Sequence, residues 1–365
     1  MSATIVLNSS NIVSAENNTL VYKFPNSIPF PHHQIAIQSA TMYYSWENIN
    51  DTTLANNTFS YGWITGVQVG GDILPVILDF PVVIPSGLYE IATINAYFQY
   101  ECIQNGTYLI NNDGQYVYYA EIVVNASQYA IQVNTFPVPT WLQFNNYAPA
   151  VNGVYTGTGA YAGWTTPAGN ASSGAGVWVG WAPAVPPGTV IPELQAGYGA
   201  FNPQLTFPAN FNLIVGFTAG YQTSWNTNST AVGSVQPFAG TGPTTPATQG
   251  QNKSYLSDFA PQVQPNPSVY FSISNINNPY AIPSSIIYSI SPSVGFGEQI
   301  NDRPPQYTWN KLLPGTYNEI RLQLLGTNKA PLTILDGNMT ILLAIRDTHD
   351  TGAEDLIARL QGGKY

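Results

Sequence analysis

All-β is the fold class this sequence predicts, and three observations predict it. Only 8% of residues are charged while 13% are aromatic, the reverse of a disordered or coiled-coil composition. Gly and Pro, 32 and 29 among 365 residues, punctuate runs of roughly six to ten residues, the spacing of strands in a sandwich or barrel. Those runs are rich in β-branched and aromatic side chains, which suit a pleated, half-buried surface. No uninterrupted apolar run reaches the roughly 18 residues of a membrane-spanning helix. Eight or more strands around one helix, with no strong linker between them, predict one domain with long loops.

The elements follow in order. Residues 35–46 read as a long strand, and Thr58 to Val69 and Ile73 to Ile84 as the next two. Pro85-Ser86-Gly87 then opens a helix over about residues 87–104. Ser86 is its expected cap, Glu90 favours the positive N-terminal end, and Ile91, Ile94, Phe98 and Cys102 form an apolar stripe. Asn105-Gly106 ends it. Tyr116 to Val124 and Gln128 to Asn134 predict a hairpin around Asn125-Ala-Ser, which Pro137-Val-Pro stops. Residues 141–200 turn to Gly, Ala and Trp, with an imperfect repeat of Gly159–Trp164 in Gly176–Trp181. This stretch and residues 219–262 read as exposed loop insertions, with a buried strand over Phe207 to Phe217 between them. Strands resume at Ser268 to Ile276, Ser284 to Ile290, Asn318 to Leu325 and Met339 to Arg346, with a turn at Asp336-Gly-Asn. The domain is expected to span 1–350. A tail over 351–365 follows, where Thr351 caps a short helix with Leu356, Ile357 and Leu360 on one face.

Charge narrows the partners. One basic residue, Lys23, stands against ten acidic ones up to Asn252, and eight basic against nine acidic after it; the net charge is −10. A phosphate-binding surface needs Lys or Arg, and anionic lipid needs the same, so neither nucleic acid nor a membrane surface is an expected partner. The N-terminus lacks a basic start followed by an apolar core, so no secretory signal is expected. The lone Cys102 excludes an internal disulfide framework. Together these predict synthesis in a reducing cytosol. Triplets such as Asn105-Gly-Thr and Asn125-Ala-Ser arise by chance in a chain this rich in Asn, Ser and Thr.

No constellation for catalysis emerges. The three His are His32, His33 and His349; two adjacent His on a strand point to opposite faces, and Pro31 suggests a loop. They predict hydrogen-bonding or exposed side chains rather than metal ligands. No Gly-x-Ser-x-Gly elbow is present. Gly157-Thr-Gly159-Ala-Tyr-Ala-Gly163 has the wrong final spacing for a dinucleotide fingerprint. Asp72, Asp79, Glu90, Glu101, Glu121 and Glu193 could serve as paired carboxylates for glycoside hydrolysis, but nothing in the sequence pairs any two. Cys102 lies on an apolar stripe and reads as a small core residue. The abundant Tyr and Trp suit sugar stacking, but more readily fill sheets and subunit contacts. The expectation is a protein that is not an enzyme, with no catalytic residue, no cofactor and no metal.

The order of several segments resembles the penton, or minor capsid, proteins of virophages and related large double-stranded DNA viruses. They are Tyr43-Tyr-Ser-Trp46-Glu-Asn-Ile49-Asn, Phe59-Ser-Tyr-Gly-Trp63, Ile84-Pro-Ser-Gly-Leu-Tyr89, Pro137-Val-Pro-Thr140, Phe211–Phe217, Tyr280–Tyr288, and the closing Tyr317-Asn-Glu-Ile-Arg-Leu with Pro331–Ile334 and Ile341–Asp347. The resemblance spans roughly residues 35–347; the stretches 141–200 and 219–262 have no counterpart in it. It implies a single jelly roll of two packed antiparallel sheets. It also implies a structural protein forming the pentameric vertex of an icosahedral shell, located in the virion. The implied partners are four further copies and the neighbouring major capsid protein, whose capsomers carry two jelly rolls. A carbohydrate- or receptor-binding jelly-roll surface module is the alternative, with a β-sandwich glycosidase behind it. Leu360-Gln-Gly-Gly363 resembles the sites cut by adenovirus-type maturation proteases, against a plain helix stop.

Overall fold

The structure, a computed structural model, describes residues 2–52, 54–68, 74–139, 144, 151–152, 154–167, 202–224, 252–264 and 266–348. His349, Asp72, Glu193, the second copy of the Gly–Trp repeat and the 351–365 tail lie outside them. Strands β1 (Ser2–Asn8), β2 (Thr19–Pro29) and β3 (His33–Tyr43) come first. Next are β4 (Thr58–Gln68), β5 (Leu74–Val83), helix α1 (Ile91–Gln104), β6 (Leu109–Ile110), β7 (Tyr116–Val117), β8 (Ala120–Asn125) and β9 (Ala130–Thr135). Then come β10 (Gln204–Phe207), the short helix α2 (Phe211–Val215), β11 (Tyr221–Gln222) and β12 (Lys253–Leu256). The chain closes with β13 (Val269–Ile273), β14 (Ile286–Ile290), β15 (Gln299–Asp302), β16 (Asn310–Lys311), β17 (Thr316–Leu325) and β18 (Thr340–Asp347).

These elements cluster into two compact units, Met1–Asn48 with Gln264–Tyr365, and Ile49–Val263. The first holds two antiparallel sheets in the orders β1-β18-β3-β15 and β14-β13-β17-β2, with β16 also pairing to β3. Eight strands in that order are the double Greek key of a jelly roll. Alternation along each strand sends one row of side chains inward: Ile5 and Leu7, Ile35 and Ile37, Ile341, Leu343 and Ile345 from one sheet, and Leu20, Val269, Phe271, Ile273, Ile320, Leu322 and Leu324 from the other. They meet in one buried cluster. The register is fixed because sliding any strand by one residue would turn its whole apolar row to water.

The second unit enters between β3 and β13. It contains the sheets β11-β10-β4-β5 and β12-β9-β8, the pair β6-β7, and α1 packed against β8. Its own core joins the α1 stripe (Ile91, Ile94, Phe98, Cys102) to Phe59, Tyr61 and Trp63 of β4 and to a group of Phe side chains around α2. Phe59 stacks on Phe211 at 4.8 Å and Phe207 on Phe217 at 5.2 Å.

The all-β class and the single jelly roll agree with the sequence reading, as do β4, β5, the β8–β9 hairpin and the four closing strands. Beside the expectation of one domain over 1–350, the chain clusters into two compact units, with Ile49–Val263 as the second; most of the expected loop insertions near 141–200 and 219–262 lies outside the described residues. Three expectations need correction. First, Ser86 does not cap α1: the cap position is Glu90, which makes no side-chain cap bond, and the Ser86 hydroxyl instead donates to Asp51 Oδ1 at 3.2 Å. Second, Phe211–Val215 is helical rather than part of a strand; Asn210 turns the chain with φ of 75° just after β10. Third, the glycine-rich stretch is not all exposed loop, because Phe144, Tyr161 and Trp164 are buried in the core of the inserted unit.

Candidate assembly surfaces

The two sheets of the jelly roll turn chemically different faces outward. On β14-β13-β17-β2 the outward positions include Lys23, Glu319 and Arg321. Arg321 Nη2 lies 3.6 Å from Glu319 Oε1, and the Lys329 ammonium sits 3.0 Å from the centre of the Tyr270 ring. On β1-β18-β3-β15 the outward positions are neutral: Thr4 and Asn8 on β1, Gln34 and Thr41 on β3, Gln299 and Asn301 on β15, Thr340 on β18. Thr4 donates to Gln38 at 3.3 Å, and Thr41 to Asn301 at 3.0 Å. The exceptions are Lys311 on β16, exposed opposite Gln34, and Arg346. The Arg346 guanidinium donates twice to Gln34 Oε1, at 2.9 and 2.8 Å, and lies 4.2 Å from the Trp309 ring.

Apolar groups collect at one end of the jelly roll. Thr316, the start of β17, pairs with Pro29, the end of β2. Thr348 donates to the His32 carbonyl, Leu312 to that of His33 and Leu313 to that of Asn275, so the β2–β3, β13–β14 and β15–β17 loops meet there. Tyr280 is 96% and Ile282 90% exposed, with Leu313 and Ile28 also exposed.

Most of the residues weighed for chemistry are described, and they do not converge. His33 opens β3 with its ring edge-on to Phe30 at 5.0 Å, so it is on a strand rather than in a loop. His32 is exposed and its carbonyl is the one bonded to Thr348. Cys102 is buried in the inserted unit, and burial pushes its thiol up to about 12. Asp79 lies on β5, Glu90 at the start of α1 and Glu101 in its last turn; Glu121 on β8 accepts from Asn134 at 2.7 Å. Among the described residues no three of His, Cys, Asp and Glu gather as metal ligands, and no helix is long and apolar enough to cross a membrane. Gly159 opens a 3-10 turn at Gly159–Tyr161, and a Cβ on Gly157 just before it would lie 2.2 Å from the Tyr161 carbonyl oxygen.

The neutral and charged sheet faces escaped the sequence reading, although the signal was present. The alternation Thr-Ile-Leu-Leu-Ala-Ile-Arg-Asp in β18 assigns Arg346 outward as soon as Ile341, Leu343 and Ile345 are placed inward. What sequence could not supply is which strands lie side by side.

No known family profile matches the chain, and no curated protein does. Among solved structures it is similar to the mavirus penton protein, with 10% identity, a TM-score of 0.38, and 94% of this chain covering 97% of that one. It is also similar to a chain in the Sputnik virophage structure solved by electron cryo-microscopy, with 9% identity, a TM-score of 0.36, and coverage of 95% and 98%.

Proposed function

We propose that this protein is a structural component of an icosahedral virus shell, and that five copies close the vertex. The observation that carries the reading is a complete eight-stranded jelly roll with a nearly uncharged outer sheet face. Jelly rolls are a recurrent capsid module. A face made of Thr, Gln and Asn associates by neutral hydrogen bonds and apolar burial, which tolerates bringing together copies that each carry −10. The order of sequence segments that resembles penton proteins points the same way. In this reading the chain is not an enzyme and needs no cofactor. It is made in the host cytoplasm, resides in the virion, and contacts neighbouring double-jelly-roll capsomers without binding nucleic acid or inserting into a membrane. The amphipathic pattern of 351–365 supports a tail that docks on a neighbour.

The purified chain should form a closed ring with a mass five times its 39.5 kDa, read by light scattering and by fivefold class averages in electron microscopy. Raising salt should favour the ring by screening like charge. A protein that stays monomeric at every concentration, and is absent from particles when made together with its virus's major capsid protein, overturns the proposal. Truncation after Asp350 should weaken incorporation into particles and leave the monomer's melting unchanged.

A further inference from the structure

We infer that the outward face of the β1-β18-β3-β15 sheet carries a binding cleft for a neutral saccharide. The cleft is an open hollow of about 420 Å³, and its lining includes Asn8, Thr41, Tyr43, Gln299, Asn338 and Thr340. Sheet register builds it: Asn8 pairs with Thr340, Thr340 with Thr41, and Tyr43 with Gln299. Three neutral hydrogen-bonding side chains therefore stand in a row across three strands, with the Tyr43–Gln299 pair beside them. Groups held on strands keep their spacing better than groups on loops.

The chemistry of the lining selects the ligand. No carboxylate, ammonium, guanidinium or imidazole lines the cleft. A phosphate, carboxylate or cationic ligand would surrender its hydration without a counter-charge. A wholly apolar ligand would strip water from amides and hydroxyls and return no hydrogen bond. A ligand dense in hydroxyls exchanges water for protein partners on even terms, and the Tyr43 ring offers an apolar face for the C–H side of a sugar.

Part of the bonding capacity is already spent in a way that fixes the rest. Asn8 Oδ1 accepts from Ser10 N at 3.0 Å and from Ser10 Oγ at 2.6 Å. Gln299 Oε1 accepts from Asn301 Nδ2 at 3.2 Å. Both amides are thereby oriented, and their nitrogens, with the Tyr43 and Thr340 hydroxyls, remain as unpaired hydrogen-bonding groups among the described residues.

The cleft lies on the sheet face that the capsid reading gives to association, so the inference concerns the free chain; a single copy holds every lining group, and ring formation and sugar binding are read by separate measurements. It is tested on the intact chain by isothermal titration and saturation-transfer NMR. The probes are the methyl glycosides of glucose, galactose, mannose, xylose, fucose and N-acetylglucosamine and their β-linked disaccharides, with glucose 6-phosphate and sialic acid as charged comparators. The protein is produced in bacteria, because Asn8 and Asn338 each open an Asn-x-Ser/Thr triplet and must stay unmodified. At least one neutral sugar should bind. Thr340→Val and Gln299→Leu should each weaken it about 2- to 12-fold, the range of one lost hydrogen bond, and Tyr43→Ala by at least about tenfold. Tyr129→Ala, which removes a 77% exposed ring elsewhere, should change nothing, and melting curves of all four variants should match the parent. Binding of no sugar in the panel overturns the inference. So does tighter binding of a charged comparator, or binding that survives Tyr43→Ala and is lost in Tyr129→Ala.

Discussion

Trp46 shows how one residue fastens the jelly roll where the chain leaves it. Its indole is fully buried, packs at a tilt against the Tyr44 ring at 4.4 Å and donates Nε1–H to the Asn266 carbonyl at 3.2 Å. A bulky side chain is justified there because its one polar atom is satisfied. Tyr119 in the inserted unit is the opposite case. Its ring is 1% exposed and meets Trp63 edge-on at 6.0 Å, while its hydroxyl has no hydrogen-bond partner among the described residues. An unpaired buried hydroxyl costs about 1–3 kcal/mol, so Tyr119→Phe should raise stability by about 1 kcal/mol in urea titration; a loss of stability would reveal a partner for the hydroxyl. Cys102 carries a pH dependence. Its thiol is shifted from the ordinary 9.0 to about 12, by burial first. The folded protein therefore holds this proton where the unfolded chain releases it, so the contribution is fully present below about pH 9 and is lost as pH rises towards 12. Tyr118, Tyr221 and Tyr288, each moved from 10.0 to about 12 chiefly by burial, act in the same direction from about pH 10 upward. Melting temperature should fall steadily above pH 9, and Cys102→Ala should shift the start of that fall towards pH 10. An unchanged onset in the variant would remove the thiol from the account.

At the scale of elements, helix ends depend on particular partners. Residue Gly216 closes α2 with φ of 74°, and a Cβ there would lie 2.3 Å from the Phe259 carbonyl oxygen. Both the left-handed backbone and the close approach require glycine. Gly216→Ala should destabilise the inserted unit by at least about 1–3 kcal/mol, read as a lower melting transition; wild-type melting would mean that the 259–261 backbone moves aside freely. Helix α1 was legible because a period-3.6 stripe is written in neighbouring residues: Ile91, Ile94, Phe98 and Cys102 are all buried. Its start was misread for a non-local reason, since Ser86 spends its hydroxyl on Asp51, 35 residues earlier. Strand β1 went unnoticed because its ladder partner is β18, with Ser2 opposite Arg346, and no local signal announces a neighbour that far along the chain. The 207–217 segment is apolar apart from Asn210 and Asn212 and fits a strand or a buried helix equally; the positive φ at Asn210 decides between them. The neutral sheet face needed both alternation, which sequence holds, and strand order, which it does not.

Across the whole molecule, charge divides by unit as it does along the chain. Between Ile49 and Val263 nine acidic residues stand against the single Lys253, while the jelly-roll unit is close to balanced. Lys253 is 2% exposed, and burial lowers its pKa, so the inserted unit offers anionic partners little attraction. That division accompanies two separate cores, and it bears on whether the jelly roll needs the insertion to fold. The chain departs after Asn48 and returns at Gln264, and on the jelly-roll side the two crossings are tied together: Trp46 donates to the Asn266 carbonyl and Gln264 Nε2 to the Tyr44 hydroxyl. The ends of the insertion are therefore close, as insertions between strands require. The apolar row of every jelly-roll strand is buried by other jelly-roll strands. Replacing Ile49–Val263 by a short Gly/Ser linker should leave a soluble domain with a β-type circular dichroism spectrum, one cooperative melting transition and a protected amide core over β3, β13, β17 and β18. Loop-closure entropy favours the shorter connection slightly, by about 0.6 kcal/mol for each halving of its length, so the excised protein gains on that count. An aggregated or molten product, with the intact chain melting in one transition that no variant separates, would show instead that the jelly roll depends on the insertion for its fold.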